Sequence, residues 1–135
     1  MKVILDTDPG IDDALAFILL KAMPEISLQA ITVTHGNTTV EKCTTNALKL
    51  VELLGMRDVP VAMGATEPLV KTLSVAEETH GDTGLGHAVL PNPTTKISES
   101  NAANLIIDIV NANPGEITIL CIGPVTNLAL AILKD

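Results

Sequence analysis

Four carboxylates crowd one short stretch near the start of this 135-residue chain: Asp6, Asp8, Asp12 and Asp13, spaced D-T-D-P-G-I-D-D. The apolar, β-type run before them ends at Asp6, Pro9-Gly10 turns the chain, and a helical pattern starts by Ile11. The acids therefore fall between the carboxyl end of a strand and the first turn of a helix. Two carboxylates about 5 Å apart repel by roughly 3 kcal/mol at an effective dielectric of 20. The helix dipole offsets only about 0.3–1 kcal/mol of this for each acid in the first turn. A shared proton or a bound cation must stabilise the rest, and an all-oxygen donor set suits Ca²⁺ or Mg²⁺. The plainer reading, acids decorating a helix start, accounts for Asp12 and Asp13 but not for all four together.

The nine residues Asp6-Thr7-Asp8-Pro9-Gly10-Ile11-Asp12-Asp13-Ala14 resemble the N-terminal signature of the inosine-uridine preferring nucleoside hydrolases. The resemblance implies an open, mostly parallel, Rossmann-like α/β sheet with helices on both faces. It also implies calcium-dependent hydrolysis of the N-glycosidic bond of purine or pyrimidine ribonucleosides to ribose and free base. Such a cleavage passes through an oxocarbenium-like sugar and needs an activated water. By the resemblance, Asp8 touches Ca²⁺ and is the general base that activates the metal-bound water. Asp13 matches a calcium ligand, Asp12 a carboxylate that grips ribose hydroxyls, and Asp6 a supporting acid at the strand end.

Gly123-Pro124-Val125-Thr126-Asn127 resembles a second block of the same family. There the residue before the glycine gives a backbone carbonyl to the metal, a place held here by Ile122. Read without the resemblance, the same residues form an ordinary strand-to-helix turn with Pro near the helix start. Asn37 matches an asparagine near nucleoside and water, and His80, in Thr79-His80-Gly81, resembles a loop histidine near the base; a solvated loop histidine is the plain alternative. His35 and His87 receive no role. Members of the family run to about twice this length. Their further calcium-binding aspartate, further ribose-binding Asn and Glu, and the histidine that protonates purine leaving groups lie in the half absent here. The expectation is one incomplete domain over residues 1–135, corresponding to the N-terminal half.

The elements that must position these residues alternate. Strands are expected at Lys2–Asp6, Leu28–Thr34, Val59–Met63 and Ile117–Ile122. Helices are expected at Ile11–Met23, with Ile11, Leu15, Ile18, Leu19 and Ala22 facing inward, and at Thr39–Leu54, where Val40, Cys43, Ala47, Leu48, Val51 and Leu54 form the stripe and Gly55 follows as the stop. A further helix spans Ser98–Asn111, capped by Ser98 or Ser100, and the last opens at Thr126–Leu133. Strands alternating with helices imply a parallel sheet covered on both faces, with ligands outside the carboxyl ends of the strands. Those ends carry Asp6–Asp13, His35-Gly36-Asn37, Gly64 and Gly123-Pro124. Residues 64–97 show no period and contain Gly81, Gly84 and Gly86, which reads as a long binding or lid loop on the site side, or else as a disordered insertion.

Composition narrows the classes further. The chain is 47% hydrophobic with Phe17 as its one aromatic residue, so its core is aliphatic, and its formal charge of −8 argues against nucleic acid and anionic membrane as partners. A small ribonucleoside is the partner that the resemblance implies. Cys43 and Cys121 form no disulfide framework or C-x-x-C site. The apolar run Ala14–Leu20 is too short to span a membrane and follows acids rather than a basic leader, so a cytoplasmic location is expected. Leu128, Leu130, Ile132 and Leu133 call for a partner layer, supplied by a homo-oligomer or by a missing C-terminal half. Two other functions compete: a Mg²⁺-dependent phosphatase of the haloacid-dehalogenase type with Asp6 as nucleophile, whose motif wants Thr or Val where Gly10 stands, and a non-catalytic remnant that binds metal or nucleoside. A plain α/β domain with acids as surface decoration is the third alternative.

Overall fold

A computed structural model describes residues 1–135. Nine elements follow one another: β1 (Lys2–Thr7), α1 (Ile11–Ala22), β2 (Ser27–Val33), α2 (Val40–Leu53), β3 (Val61–Met63), α3 (Glu77–His80), α4 (Ala102–Ala112), β4 (Ile117–Cys121) and α5 (Thr126–Lys134). The strands form one sheet in the order β3-β2-β1-β4, and every pairing is parallel. β1 is central, with Lys2 opposite Ser27 on one side and Ile117 on the other. The expected open parallel α/β sheet is therefore present, and all four expected strands exist.

Successive side chains of a strand point to opposite faces, and β1 feeds two cores accordingly. Leu5 packs with Phe17 and Leu20 of α1, Ile31 and Val33 of β2, and the apolar stripe of α2. Ile4 packs on the other face with Ala30, Ile106 of α4 and Ala131 of α5. The α2 stripe is buried as the periodicity predicts, from Val40 through Cys43 and Ala47 to Val51.

Helix α1 differs from expectation. Its buried residues are Asp13, Phe17 and Leu20, whereas Ile11, Leu15, Ile18 and Leu19 are exposed, Leu15 by 66%; Ala22 is exposed as well. The helix is apolar on two faces, and the bulky aromatic at Phe17 decides which one meets the sheet. The cap of α4 also differs: Asn101, rather than Ser98 or Ser100, accepts a hydrogen bond from the Asn104 amide at 3.0 Å. The third strand is shorter than expected because Val59 and Pro60 precede the ladder, where Pro60 gives only its carbonyl to Ile31 N.

Residues 64–97 contain the single helical turn α3 and otherwise run along α2, tied down by polar contacts. Glu77 accepts from Thr38 Oγ1 at 3.2 Å and Lys42 Nζ at 2.8 Å. Glu52 accepts from the amides of Thr94 and Thr95 at 2.8 and 2.6 Å and from both their hydroxyls, which together hold its carboxyl down to about 2. No helix is long and apolar enough to cross a membrane.

Candidate functional site

At its carboxyl end β1 delivers Asp6 and Thr7 into the sheet and releases the chain into the Asp8-Pro9-Gly10 turn. Gly10 is the N-cap of α1, and the Asp13 carboxylate, three residues on, reaches back to accept from the Gly10 amide at 3.1 Å. That is the return half of a capping box, and it aims Asp13 into the turn instead of outward to solvent. Thr7 Oγ1 donates to the other Asp13 oxygen. Asp12, the next-door acid, points away: its side chain is 80% exposed. Adjacent helical positions face different directions, so one dipeptide supplies a buried and a solvent-facing carboxylate.

Asp8 is buried. Its Oδ2 accepts from the Asn37 amide at 2.8 Å, while the Asn37 side-chain nitrogen donates to the Asp8 carbonyl at 2.9 Å and to Asp13 Oδ2 at 3.0 Å. Asn37 thus clamps the two carboxylates from the end of β2. Two glycines close on Asp8 from the other sides. A Cβ at Gly36 would collide with Asp8 Oδ2, and one at Gly123 would lie 2.6 Å from Oδ1. The Ile122–Gly123 peptide therefore runs directly past the Asp8 carboxylate, and Ile122 is fixed there by its amide, which donates to the Asp6 carbonyl at 2.9 Å. Burial first, and then the nearby Asp13 charge, pushes the Asp8 carboxyl up to about 7.

Asp6 lies beneath this layer and is fully buried. Its Oδ1 accepts from Thr32 Oγ1 at 2.6 Å and Asn127 Nδ2 at 2.8 Å, and its Oδ2 has no partner. Burial raises its carboxyl above the usual range. A nucleophile must reach its substrate, so this enclosure removes the phosphatase reading in which Asp6 attacks.

His80 sits at the rim. Its Nδ1 accepts from the Ile11 amide at 3.2 Å and lies 3.9 Å from Asp12 Oδ1. The structure therefore brings Asp8, Asp13, Asn37 and the Ile122–Gly123 peptide together, with Asp12 and His80 paired at the mouth and Asp6 behind. Of the two unassigned histidines, His87 is exposed. His35 is buried beside Thr126 Oγ1 at 3.3 Å, and burial lowers its pKa.

Sequence reasoning missed two asparagines. Asn127, in the first turn of α5, is fully buried and donates to Asp6 Oδ1 and to the Val33 carbonyl at 3.1 Å, while its own oxygen accepts from the Ala65 amide at 2.8 Å. It pins the ends of three strands. Asn46 is buried on α2 and donates to the carbonyls of Pro9 and Thr83. The available signal was polarity out of place: Asn46 interrupts the face that carries Cys43, Ala47 and Leu50, and a buried amide must have partners.

As a donor set, the turn offers carboxylates and main-chain carbonyls, hence oxygen only. No group of three or more His, Cys, Asp or Glu side chains is assembled to hold a metal. Two buried carboxylates held together by one asparagine nevertheless suit a hard cation, which would relieve their repulsion.

Known proteins resemble this chain over nearly its whole length. The chain is 47% identical over 135 residues to uridine nucleosidase 1 of Arabidopsis thaliana, covering 99% of this chain and 40% of that protein. Among solved structures, a plant nucleoside hydrolase, the PpNRh1 enzyme, superimposes with a TM-score of 0.91 at 42% identity, over 99% of this chain and 43% of that one. The purine-preferring ribonucleoside hydrolase from Gardnerella vaginalis gives 0.93 at 34% identity, over 100% and 44%. The chain thus spans less than half the length of the relatives it matches. The family model described as inosine-uridine preferring nucleoside hydrolase matches residues 3–135, and the chain belongs to that family.

Proposed function

We propose that this chain carries the calcium and ribose side of a ribonucleoside N-ribohydrolase, which adds water across the bond between ribose C1′ and the base to give ribose and free base. The observation that carries the reading is Asp8: buried, clamped by Asn37, hemmed by Gly36 and Gly123, with its carboxyl raised to about 7. Without metal the Asp8 carboxyl keeps its proton to about pH 7; a bound cation would lower that and leave the carboxylate free to accept a proton from water. Asp8, Asp13 and the Ile122 carbonyl would hold Ca²⁺, which supplies positive charge that acidifies water when bound. Calcium takes six to eight oxygens, so waters or further polypeptide complete the shell. Asp12, solvent-facing at the mouth, accepts hydrogen bonds from ribose hydroxyls, and Asn37 keeps the two acids in place. His80 borders the base. Relatives named for uridine and for purine preference both resemble this chain, so the substrate class proposed is the ribonucleosides as a whole.

The test is thermal unfolding of the chain with Ca²⁺, with Mg²⁺ and with chelator, followed by a nucleoside hydrolysis assay. Calcium at a hundred times Kd adds about 2.7 kcal/mol of stability, a shift of several degrees, and Asp8→Ala and Asp13→Ala abolish it. A cooperative transition indifferent to calcium would sink the metal assignment. The second reading is binding of metal or nucleoside without turnover. A calcium shift without hydrolysis would select it.

A further inference from the structure

The aspartate turn and the His80 segment come from opposite ends of a long excursion, yet they meet at Ile11. Beneath the direct Ile11–His80 hydrogen bond, one buried side chain ties the two together. The Asn46 amide nitrogen donates to the Pro9 carbonyl at 3.1 Å and to the Thr83 carbonyl at 2.7 Å. A primary amide has two N–H groups, and both are committed, one to each segment. Asp and Leu of similar size donate nothing, and Gln is a methylene too long.

The loop side is built for this approach. Gly84 adopts φ +85°, and a Cβ there would lie 2.9 Å from Asn46 Nδ2 and 3.5 Å from the Pro9 carbonyl. From Thr83 the constraint passes to His80 through a tight knot, in which Gly84 N donates to Gly81 O at 2.9 Å and Gly86 N to His80 O at 2.7 Å. The upstream side of the segment has its own tie, Ala76 N to Asn37 O at 3.1 Å. Asn46 therefore governs the downstream side.

We infer that Asn46 is a positioning residue that sets the distance between the aspartate turn and His80, the ribose side and the base side of the nucleoside site; the naming of those two sides rests on the function proposed above. Buried on α2 with no approach to substrate, it acts through the two carbonyls it holds.

The experiment is NMR of the isotopically labelled full chain without calcium or nucleoside, reading the His80 ring nitrogens and the Ile11 amide. In Asn46→Ala, and equally in the near-isosteric Asn46→Asp, the hydrogen-bonded signature of His80 Nδ1 is lost and Ile11 amide exchange rises about tenfold as the segment opens locally. The His35 ring, held by Thr126, and the Asn104 amide, capped by Asn101, report an intact fold and stay unchanged. Gly84→Ala, which changes no residue of α2 but pushes its Cβ against the Asn46 amide, gives the same displacement of His80 and decides the matter if the Asn46 variants do not fold. An unmoved His80 in the folded Asn46 variants or in Gly84→Ala would overturn the assignment. Because no calcium is present, a failed calcium test removes the catalytic reading alone, and an unmoved His80 removes the Asn46 tie alone.

Discussion

β1 and β4 are neighbours in the same sheet, paired residue for residue, and they are built differently. Leu5 and Leu120 are opposite each other, yet Leu5 is fully buried and Leu120 is 38% exposed. β1 has a strand on each side and a helix layer on each face, whereas β4 has a partner on one side only. The acids of the aspartate turn hang from the finished strand, and the Ile122 carbonyl hangs from the open one. Precision at the turn thus comes from burial, while the Ile122 end relies on a few backbone hydrogen bonds to β1.

The largest expected effect concerns the buried end of that comparison. Asp8 holds its proton to about pH 7 in the folded chain, against 3.8 for an ordinary aspartate. The folded state then binds more protons than the unfolded state across that window, so stability falls as pH rises through it. The ceiling is about 4 kcal/mol at 1.36 kcal/mol per pH unit. Denaturant titrations in chelator from pH 4 to 7 show a steeper decline in the parent chain than in Asp8→Asn, where Asp6, also raised by burial, keeps a decline of the same sign. His35, whose pKa burial lowers, acts in the opposite direction and cancels between the two proteins.

Next in size is the paired leucine test. Leu5→Ala costs about 2–5 kcal/mol by urea unfolding, because it empties a close-packed site. Leu120→Ala costs less, about 1–2 kcal/mol, since 38% of that residue never leaves water. Equal losses would break the distinction between finished and open strands. Asn127→Ala comes third at about 2 kcal/mol, because it strips the Val33 carbonyl and the Ala65 amide of their partner. The smallest effect lies at α4: Asn101→Ala costs about 1 kcal/mol, and Ser98→Ala or Ser100→Ala stays within about 0.5 kcal/mol. A reversal of that order would move the cap back to the serines.

Much of this was legible in the sequence where one signal pointed one way. The apolar run ending at Asp6 and the Pro9-Gly10 turn place the strand end and helix start correctly, and the α2 stripe has only one apolar face to offer. The failures occur where the chain offers two answers. On α1, Ile11, Leu15, Ile18 and Leu19 make as good a stripe as Ala14, Phe17 and Leu20, and periodicity cannot choose between faces when both are apolar. Asn46 and Asn127 received no role for another reason: what a buried amide does depends on carbonyls and amides far away in sequence, which only the fold brings within 3 Å or so.

The placing of β1 at the centre of the sheet also sets a timetable. Its pairing with β2 closes a short excursion through α1, but its pairing with β4 joins Lys2 to Ile117 and must wait for nearly the whole chain. Contacts of such long range are slow to form, and at roughly 5–20 residues per second of synthesis β4 emerges many seconds after β2. β4 and the turn after it bring both the Ile122–Gly123 peptide and Asn127, so the site cannot be complete until β4 and α5 dock against β1.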